Sequence, residues 1–178
     1  MYLPHPNQKK TNFDQADPTH NAHKSSNKIL AQLLAEFVPK SQTIQEIFIE
    51  SSALKNLPEK LLHHFGLSKV KLIADENTWS VAGLGAQRIL KKAGYTVEKI
   101  LFPANPRPRP TIEAARTLSD KLHSDNSIPI VVGTGVLNDL VKFAAFKAGQ
   151  AYCCVPTAAS MDGYASAGSV LSDQGFKI

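Results

Sequence analysis

With 178 residues the chain has room for one domain, or for one half of a two-domain enzyme, and its 43% hydrophobic content excludes a disordered protein. No apolar run approaches the roughly 18 residues of a membrane span, so no membrane partner is expected. The net charge of +5 is scattered along the chain without stacking aromatics between the basic residues, so no nucleic-acid partner is expected either.

The first 27 residues are polar, rich in Pro, Asn, Gln, His, Lys and Ser. Such a segment cannot bury enough surface to offset the entropy cost of ordering, which predicts a flexible arm over 1–27 and an α/β domain over 28–178. No signal-peptide core follows the start. Cys153 and Cys154 are strand neighbours that point to opposite faces, so we expect free thiols and a cytoplasmic protein.

Helical patterns come first in the predicted domain. Apolar residues recur at helical spacing from Lys28 to Phe37, before Pro39, and again from Ser51 until Gly66. Between them, residues 44–50 have the composition of a short strand.

From Lys69 onward, predicted strands alternate with predicted helices, in the order 70–74, 81–93, 95–102, 111–123 and 128–132. This alternation predicts an α/β fold with a doubly wound, mainly parallel sheet. Ligands of such sheets bind where the strands end, which here means the loops at 75–78 and 133–138.

The sequence Gly133-Thr-Gly-Val-Leu-Asn-Asp139 follows an apolar strand and begins a helix. Two glycines let the backbone approach a phosphate, and free amides at a helix start favour negative charge. Asn138 stands where the dinucleotide fingerprint has its third glycine. The loop by itself is therefore equally compatible with a tight structural turn.

Two further segments carry candidate binding residues. Asp75 ends the strand 70–74, where a carboxylate either binds a ribose diol or caps the next helix. If it binds the 2′-hydroxyl, its charge disfavours the 2′-phosphate of NADP. After Pro156 comes a run of small and hydroxylated residues with one carboxylate, Asp162. This composition suits a loop around a polar ligand, or a flexible linker.

Taken together, Asp75-Glu-Asn-Thr78, the glycine loop and Pro156-Thr-Ala-Ala-Ser-Met-Asp-Gly-Tyr-Ala-Ser166 resemble the sn-glycerol-1-phosphate dehydrogenases. These enzymes share a superfamily with glycerol dehydrogenase, iron-containing alcohol dehydrogenases and dehydroquinate synthase. The resemblance covers about 44–178. It implies the Rossmann-like N-terminal domain of the dehydroquinate synthase-like fold, with the helical C-terminal domain absent from this chain.

The resemblance also implies NAD or NADP as cofactor. The pyrophosphate is expected to lie among Gly135, Val136, Leu137, Asn138 and Asp139. The nicotinamide side is expected at Thr157, Ala158, Ala159 and Ser160. Ser166 is also expected to contact the cofactor. Asp75 is expected to bind the adenosine ribose, and Asp162 is expected to contact the substrate.

The implied reaction is reversible hydride transfer between NAD(P)H and dihydroxyacetone phosphate, giving sn-glycerol 1-phosphate. A divalent metal, zinc or nickel, acts there as a Lewis acid, held by an aspartate and two histidines of the C-terminal domain. No residue of this chain matches them, so no metal ligand and no catalytic residue is assigned. The full-length enzyme is expected to be a homo-oligomer and the isolated chain inactive. The alternatives are a glycerol dehydrogenase, a lyase of the dehydroquinate synthase type, and a non-catalytic nucleotide-binding module.

Overall fold

The computed structural model describes residues 28–36, 38–41, 43–159 and 163–177. The chain divides into two units between Ile47 and Phe48. In the first unit, helix α1 covers 28–36 and a 3-10 turn follows at Val38–Lys40, which confirms the helix predicted before Pro39. An exposed ion pair joins Lys40 Nζ to Glu36 Oε1 at 3.1 Å. The predicted arm, 1–27, lies outside the described residues.

The strand predicted over 44–50 is wrong, since these residues form neither helix nor strand. Their β-rich composition only means that these side chains pack well on a pleated, half-buried surface. A strand also needs a neighbouring backbone that accepts and donates its hydrogen bonds. No strand pairing involves these residues in the part of the chain that the structure describes.

The second unit contains, among its described residues, one four-stranded sheet and a short hairpin. The sheet order is β2-β1-β3-β4, and each neighbouring pair is parallel. The strands are β1 (Lys69–Asp75), β2 (Thr96–Phe102), β3 (Ile128–Gly133) and β4 (Cys153–Pro156). The predicted parallel sheet is confirmed.

Helices cover both faces of this sheet. They are α2 (Ala53–Phe65), α3 (Glu76–Thr78), α4 (Leu84–Lys92), α5 (Ile112–His123) and α6 (Gly135–Lys147). Leu61 of α2 and Leu90 of α4 pack with Leu72 in one core. Leu118 of α5 and Leu140 of α6 pack with Ile73 in the other core, which we call the α5/α6 core. Adjacent residues of β1 therefore enter opposite cores, which explains why β1 and β3 are apolar without alternation.

The connection from β1 to β2 begins earlier than the sequence predicted. Helical structure starts at Glu76 instead of Val81, and a π-helical turn, Trp79–Gly83, joins α3 to α4. A Cβ atom at position 83 would lie 2.7 Å from Cε3 of Trp79, so glycine leaves room for the indole ring. The early start follows from the capping of Asp75, described below.

Strand order determines where a ligand can enter. The chain moves from β1 outward to β2, then returns to place β3 on the other side of β1. The connections therefore diverge from the carboxyl ends of β1 and β3, and in such folds this divergence places the ligand crevice there, which here means between Asp75 and Gly133. Both loops singled out by the sequence border this crevice.

The last described residues extend the α5/α6 side of the second unit. A 3-10 turn covers Gly163–Ala165, and β5 (Ser172–Asp173) pairs antiparallel with β6 (Phe176–Lys177). Leu171 is buried in the α5/α6 core. The backbone amide of Ser172 donates to the carbonyl of Pro110 at 2.7 Å. Across the described ranges, no helix has the length and apolarity that crossing a membrane requires.

Candidate functional site

The start of α6 presents backbone amides at the carboxyl end of β3. The first intrahelical hydrogen bond runs from the amide of Asn138 to the carbonyl of Thr134 at 3.0 Å. Thr134, at the N-cap position, makes no capping hydrogen bond with its side chain within the described residues. The amides of Gly135, Val136 and Leu137 thus have no intrahelical acceptor, and this helix end favours an anion.

Gly133 lets the helix begin this close to the strand. A Cβ atom at position 133 would lie 2.6 Å from Cδ1 and 2.9 Å from Cβ of Leu137. The side chain of Leu137 is itself buried in the α5/α6 core. This first glycine therefore has a packing role, and Leu137 has only its backbone amide to offer a ligand.

Two polar atoms beside this helix start are buried without a partner. Asn138 is 0% exposed; its Oδ1 accepts a hydrogen bond from the hydroxyl of Tyr152 at 3.1 Å. Its Nδ2 has no partner in the described structure, and neither has Oγ1 of Thr157, just after β4. A buried polar group left unpaired costs about 1–3 kcal/mol. These atoms and the free amides fit a ligand rich in hydrogen-bonding oxygens, as a dinucleotide is.

Asp75 caps the helix that follows β1. Its Oδ1 accepts the amide of Thr78 at 2.7 Å, and its own amide donates to Oγ1 of Thr78 at 3.1 Å. The capping interpretation is therefore confirmed. The second carboxylate oxygen takes no hydrogen bond from the described chain, so the contact to a ribose stays a prediction compatible with the cap.

The segment after β4 returns to the end of β3. The amide of Thr157 donates to the carbonyl of Gly133 at 3.1 Å, and the hydroxyl of Tyr164 donates to the same carbonyl at 3.3 Å. Thr157 and Ala158 are thus placed beside the glycine loop, with exposed Ala159 next to them. Ser160 and Asp162 lie outside the described residues.

The family follows from comparison with known proteins. The sequence model of the iron-containing alcohol dehydrogenases matches residues 48–178. The chain belongs to the iron-containing alcohol dehydrogenase family. This confirms the resemblance drawn from the motifs.

Curated relatives of this family member include two named glycerol-1-phosphate dehydrogenase [NAD(P)+]. The one from Halalkalibacterium halodurans is 31% identical over 145 residues, covering 76% of this chain and 34% of the relative. The one from Thermofilum pendens is 33% identical over 129 residues, covering 72% of this chain and 35% of the relative. The chain therefore spans about a third of the length of these relatives.

Solved structures support the fold. Glycerol dehydrogenase from Schizosaccharomyces pombe superimposes with a TM-score of 0.60 at 23% identity, covering 71% of this chain and 31% of the other. Maleylacetate reductase from Agrobacterium tumefaciens gives a TM-score of 0.56 at 16% identity, covering 75% and 36%. These likenesses confirm that the family member has the Rossmann-like fold predicted from its motifs.

Sequence reasoning missed Lys142 of α6. Its buried Nζ donates to the carbonyls of Gly163 and Ser166, both at 2.8 Å, and to that of Gly168 at 3.0 Å. Burial lowers the pKa of Lys142, although the charge of nearby Asp139 opposes this effect. The available signal was a lysine at an apolar helix position, three residues after a carboxylate.

Asp139 and Ser166, both predicted to contact the cofactor, have partners within the protein. Asp139 is 7% exposed; burial raises the pKa of its carboxyl group, and the charge of Lys142 opposes this effect. Oγ of Ser166 lies 3.2 Å from Nζ of Lys142, and its single hydroxyl proton is shared between the carbonyls of Gly163 at 3.0 Å and Gly168 at 2.9 Å. Their contacts to a cofactor stay predictions, because none of these bonds involves a ligand.

A metal centre was not assigned from the sequence, and the described ranges contain no group of three or more His, Cys, Asp or Glu side chains able to hold a metal ion. Cys153 and Cys154 are free thiols. Burial raises the pKa of Cys153 to about 11 and, together with the neighbouring Cys153, that of Cys154 to about 12. Both stay protonated at neutral pH, which disfavours metal binding and nucleophilic chemistry.

Proposed function

We propose that this chain is the cofactor-binding half of an NAD(P)-dependent glycerol-1-phosphate dehydrogenase. The observation that carries the proposal is the start of α6, where free amides and the unpaired Nδ2 of Asn138 adjoin the crevice at the end of β3. The curated relatives bearing that name add support, since they match the same residues. The complete enzyme interconverts dihydroxyacetone phosphate and sn-glycerol 1-phosphate by hydride transfer.

The pyrophosphate binds at the start of α6. The amides of Gly135, Val136 and Leu137 donate to its oxygens, and the helix dipole stabilises its charge. Asn138 contributes Nδ2, which otherwise carries the cost of an unpaired buried donor. Asp139, the next residue of the helix and 7% exposed, completes the set that surrounds the pyrophosphate.

The adenosine ribose binds at Asp75. The carboxylate uses one oxygen for the helix cap and offers the other to the ribose hydroxyls. A phosphate on the 2′-oxygen would approach a buried negative charge, so NAD is bound in preference to NADP.

The nicotinamide side is formed by Thr157, Ala158, Ala159 and Ser160, with Ser166 nearby and Asp162 on the substrate. Thr157 Oγ1 is buried and unpaired, which suits a carboxamide or ribose hydroxyl as its partner. The bound dinucleotide supplies the hydride, and these residues orient its ring.

The resemblance implies zinc or nickel in the complete enzyme. The described residues hold no matching ligand cluster, so no step is assigned to a metal. Dihydroxyacetone phosphate as substrate, a homo-oligomeric state and a cytoplasmic location, where the thiols of Cys153 and Cys154 stay reduced, belong to the same proposal.

Calorimetric titration of the chain with NADH tests cofactor binding. We expect weak but saturable heat, competed by ADP-ribose, because both ligands carry the pyrophosphate. Absence of heat with either nucleotide at millimolar concentration contradicts the proposal.

The substrate is tested on the complete enzyme. Its metal-loaded form should oxidise NADH with dihydroxyacetone phosphate, and should reduce NAD faster with sn-glycerol 1-phosphate than with glycerol. A preference for free glycerol would instead identify a glycerol dehydrogenase, and turnover equal to a metal-free control would refute the reaction.

A further inference from the structure

Two charged residues lie three positions apart on the core-facing side of α6. Asp139 is 7% exposed and Lys142 is 8% exposed, among helix neighbours that pack in the α5/α6 core. Charged side chains are rarely buried unless a specific partner compensates the loss of water. We call Asp139 and Lys142 the charged bracket. The groups around them indicate what the two charges do.

Lys142 gathers one short segment around its ammonium group. Nζ lies 2.8 Å from the carbonyl oxygens of Gly163 and Ser166, 3.0 Å from that of Gly168 and 3.2 Å from Oγ of Ser166. Three converging carbonyl dipoles repel one another, and a cation with three donors removes that repulsion. The conformation of 163–168 thus depends on the lysine charge.

Asp139 supports the charge of Lys142, and packing holds the other end of the same segment. Burial lowers the pKa of Lys142, and the charge of Asp139 opposes this effect. Leu171 is 2% exposed in the α5/α6 core. Tyr164 adds a third attachment through its hydroxyl, which donates to the carbonyl of Gly133. The described residues 163–171 are thereby held against the first half of α6 and the end of β3.

The same helix also carries the amides that the proposed function assigns to the pyrophosphate. The first turn of α6 begins at Gly135, and the charged bracket lies within its next two turns. A segment attached to this helix keeps a constant distance from the pyrophosphate amides. Such preorganisation lowers the ordering cost of binding.

We propose that Asp139 and Lys142 are positioning residues for the nicotinamide half of the dinucleotide. This inference rests on the proposed function and deepens it. The charged bracket touches no reacting atom. It sets residues 163–171 relative to the pyrophosphate amides, so that the part of the site beyond the pyrophosphate is formed before the cofactor arrives.

The test compares two ligands that differ in the nicotinamide ring. Lys142→Met should weaken NADH binding by about tenfold, the factor corresponding to one lost hydrogen bond of a charged group, and change ADP-ribose binding by less than about twofold. Lys142→Arg, which keeps the charge, should recover part of the NADH affinity. Both affinities are measured by calorimetry of the 178-residue chain.

Lys147→Met is the matched control. Lys147 is exposed in the last turn of the same helix, so the variant has the same charge change without touching 163–171. It should bind both ligands as the unmodified chain does. Equal losses of NADH and ADP-ribose affinity in Lys142→Met, or no loss of either, would overturn the inference.

Amide hydrogen exchange without nucleotide separates this inference from the proposed function. Lys142→Met should lower the protection of 163–171 by about tenfold or more while β1 stays protected, which also shows that the variant is folded. If the protection of 163–171 is unchanged in Lys142→Met, the positioning role of the charged bracket is overturned, whichever ligand the chain binds. If the protection falls but the unmodified chain binds neither nucleotide, the proposed function fails and the bracket has only a structural role.

Discussion

Two buried lysines lie at different parts of the sheet and are neutralised in different ways. Lys71, 1% exposed near the amino end of β1, pairs with the carboxylate of Asp125 at 2.7 Å and also reaches Lys121 O and Ser124 Oγ. Lys142, beside the carboxyl end of β3, binds carbonyls and a hydroxyl, with no carboxylate within 4 Å in the described structure.

The difference separates stability from function. An ion pair between β1 and the loop that follows α5 holds the end of α5 against the sheet whether or not a ligand is present. A cation surrounded by loop carbonyls shapes a segment that borders the crevice. Breaking the first pair should therefore reduce the free energy of unfolding, whereas removing the second charge should mainly change ligand binding.

The largest effect is expected at the Lys71–Asp125 pair. Asp125→Ala leaves a buried ammonium without its carboxylate and should lower the free energy of unfolding by about 2 kcal/mol, below the range for fully buried pairs because Asp125 is 32% exposed. Urea unfolding measures this, with Asp120→Ala, an exposed neighbour on α5, as control. Combining it with Lys71→Met should restore part of the stability. A double variant less stable than Asp125→Ala would contradict this account of the pair.

The next effect concerns Gly133. Gly133→Ala places a Cβ atom 2.9 Å from Cβ of Leu137, and should destabilise the fold by about 1–2 kcal/mol while weakening the binding of NADH and ADP-ribose together. Gly85→Ala is the control, because its Cβ meets only Cδ2 of Leu54 at 3.5 Å. In helix α4 that change should stabilise the chain by about 0.5–1 kcal/mol. Thermal unfolding measures both variants. If the two midpoints shift equally, neighbouring atoms have moved to relieve the close approach at Gly133.

Acid should weaken the Lys71–Asp125 pair in a defined range. Hydrogen bonds from Lys71 and Ser127 lower the pKa of Asp125 from 3.8 to about 2. The unfolded chain therefore binds a proton that the folded chain excludes, so this contribution is present above about pH 4 and is lost as the pH falls to about 2. The free energy of unfolding should fall more steeply across that interval in the unmodified chain than in Asp125→Asn. Parallel curves would assign the acid sensitivity to other groups.

The smallest change in stability is expected at Asp75. Asp75→Asn keeps an acceptor for the amide of Thr78, so the free energy of unfolding should stay within about 0.5 kcal/mol. The negative charge facing the ribose disappears, and the affinity for NADPH should rise relative to NADH. Asp75→Ala, which also loses the cap, should cost about 1 kcal/mol. An unchanged NADPH to NADH ratio in Asp75→Asn would remove Asp75 from the ribose site.

Local sequence patterns predicted an element best where a strand is buried on both faces, or where a glycine or a proline marks the end of the element. The apolar runs of β1 and β3, the glycine that ends α2 and the proline that ends β4 all appear where the sequence predicted them. Residues 44–50 failed because strand formation needs a partner that composition cannot supply. The early helix start at Glu76 was missed because residues 75–78 were predicted as a turn and the helix was predicted only from Val81.

The sequence by itself determined the alternation of strands and helices, the glycine loop and the family to which they belong, since each depends on residues close together along the chain. Only the tertiary structure decided that Thr157 and Tyr164 meet at one carbonyl of Gly133, and that Lys142 is buried against 163–168. The reason is physical: a buried charge is stabilised by whichever distant backbone groups the fold brings to it, and spacing along the chain does not encode those groups.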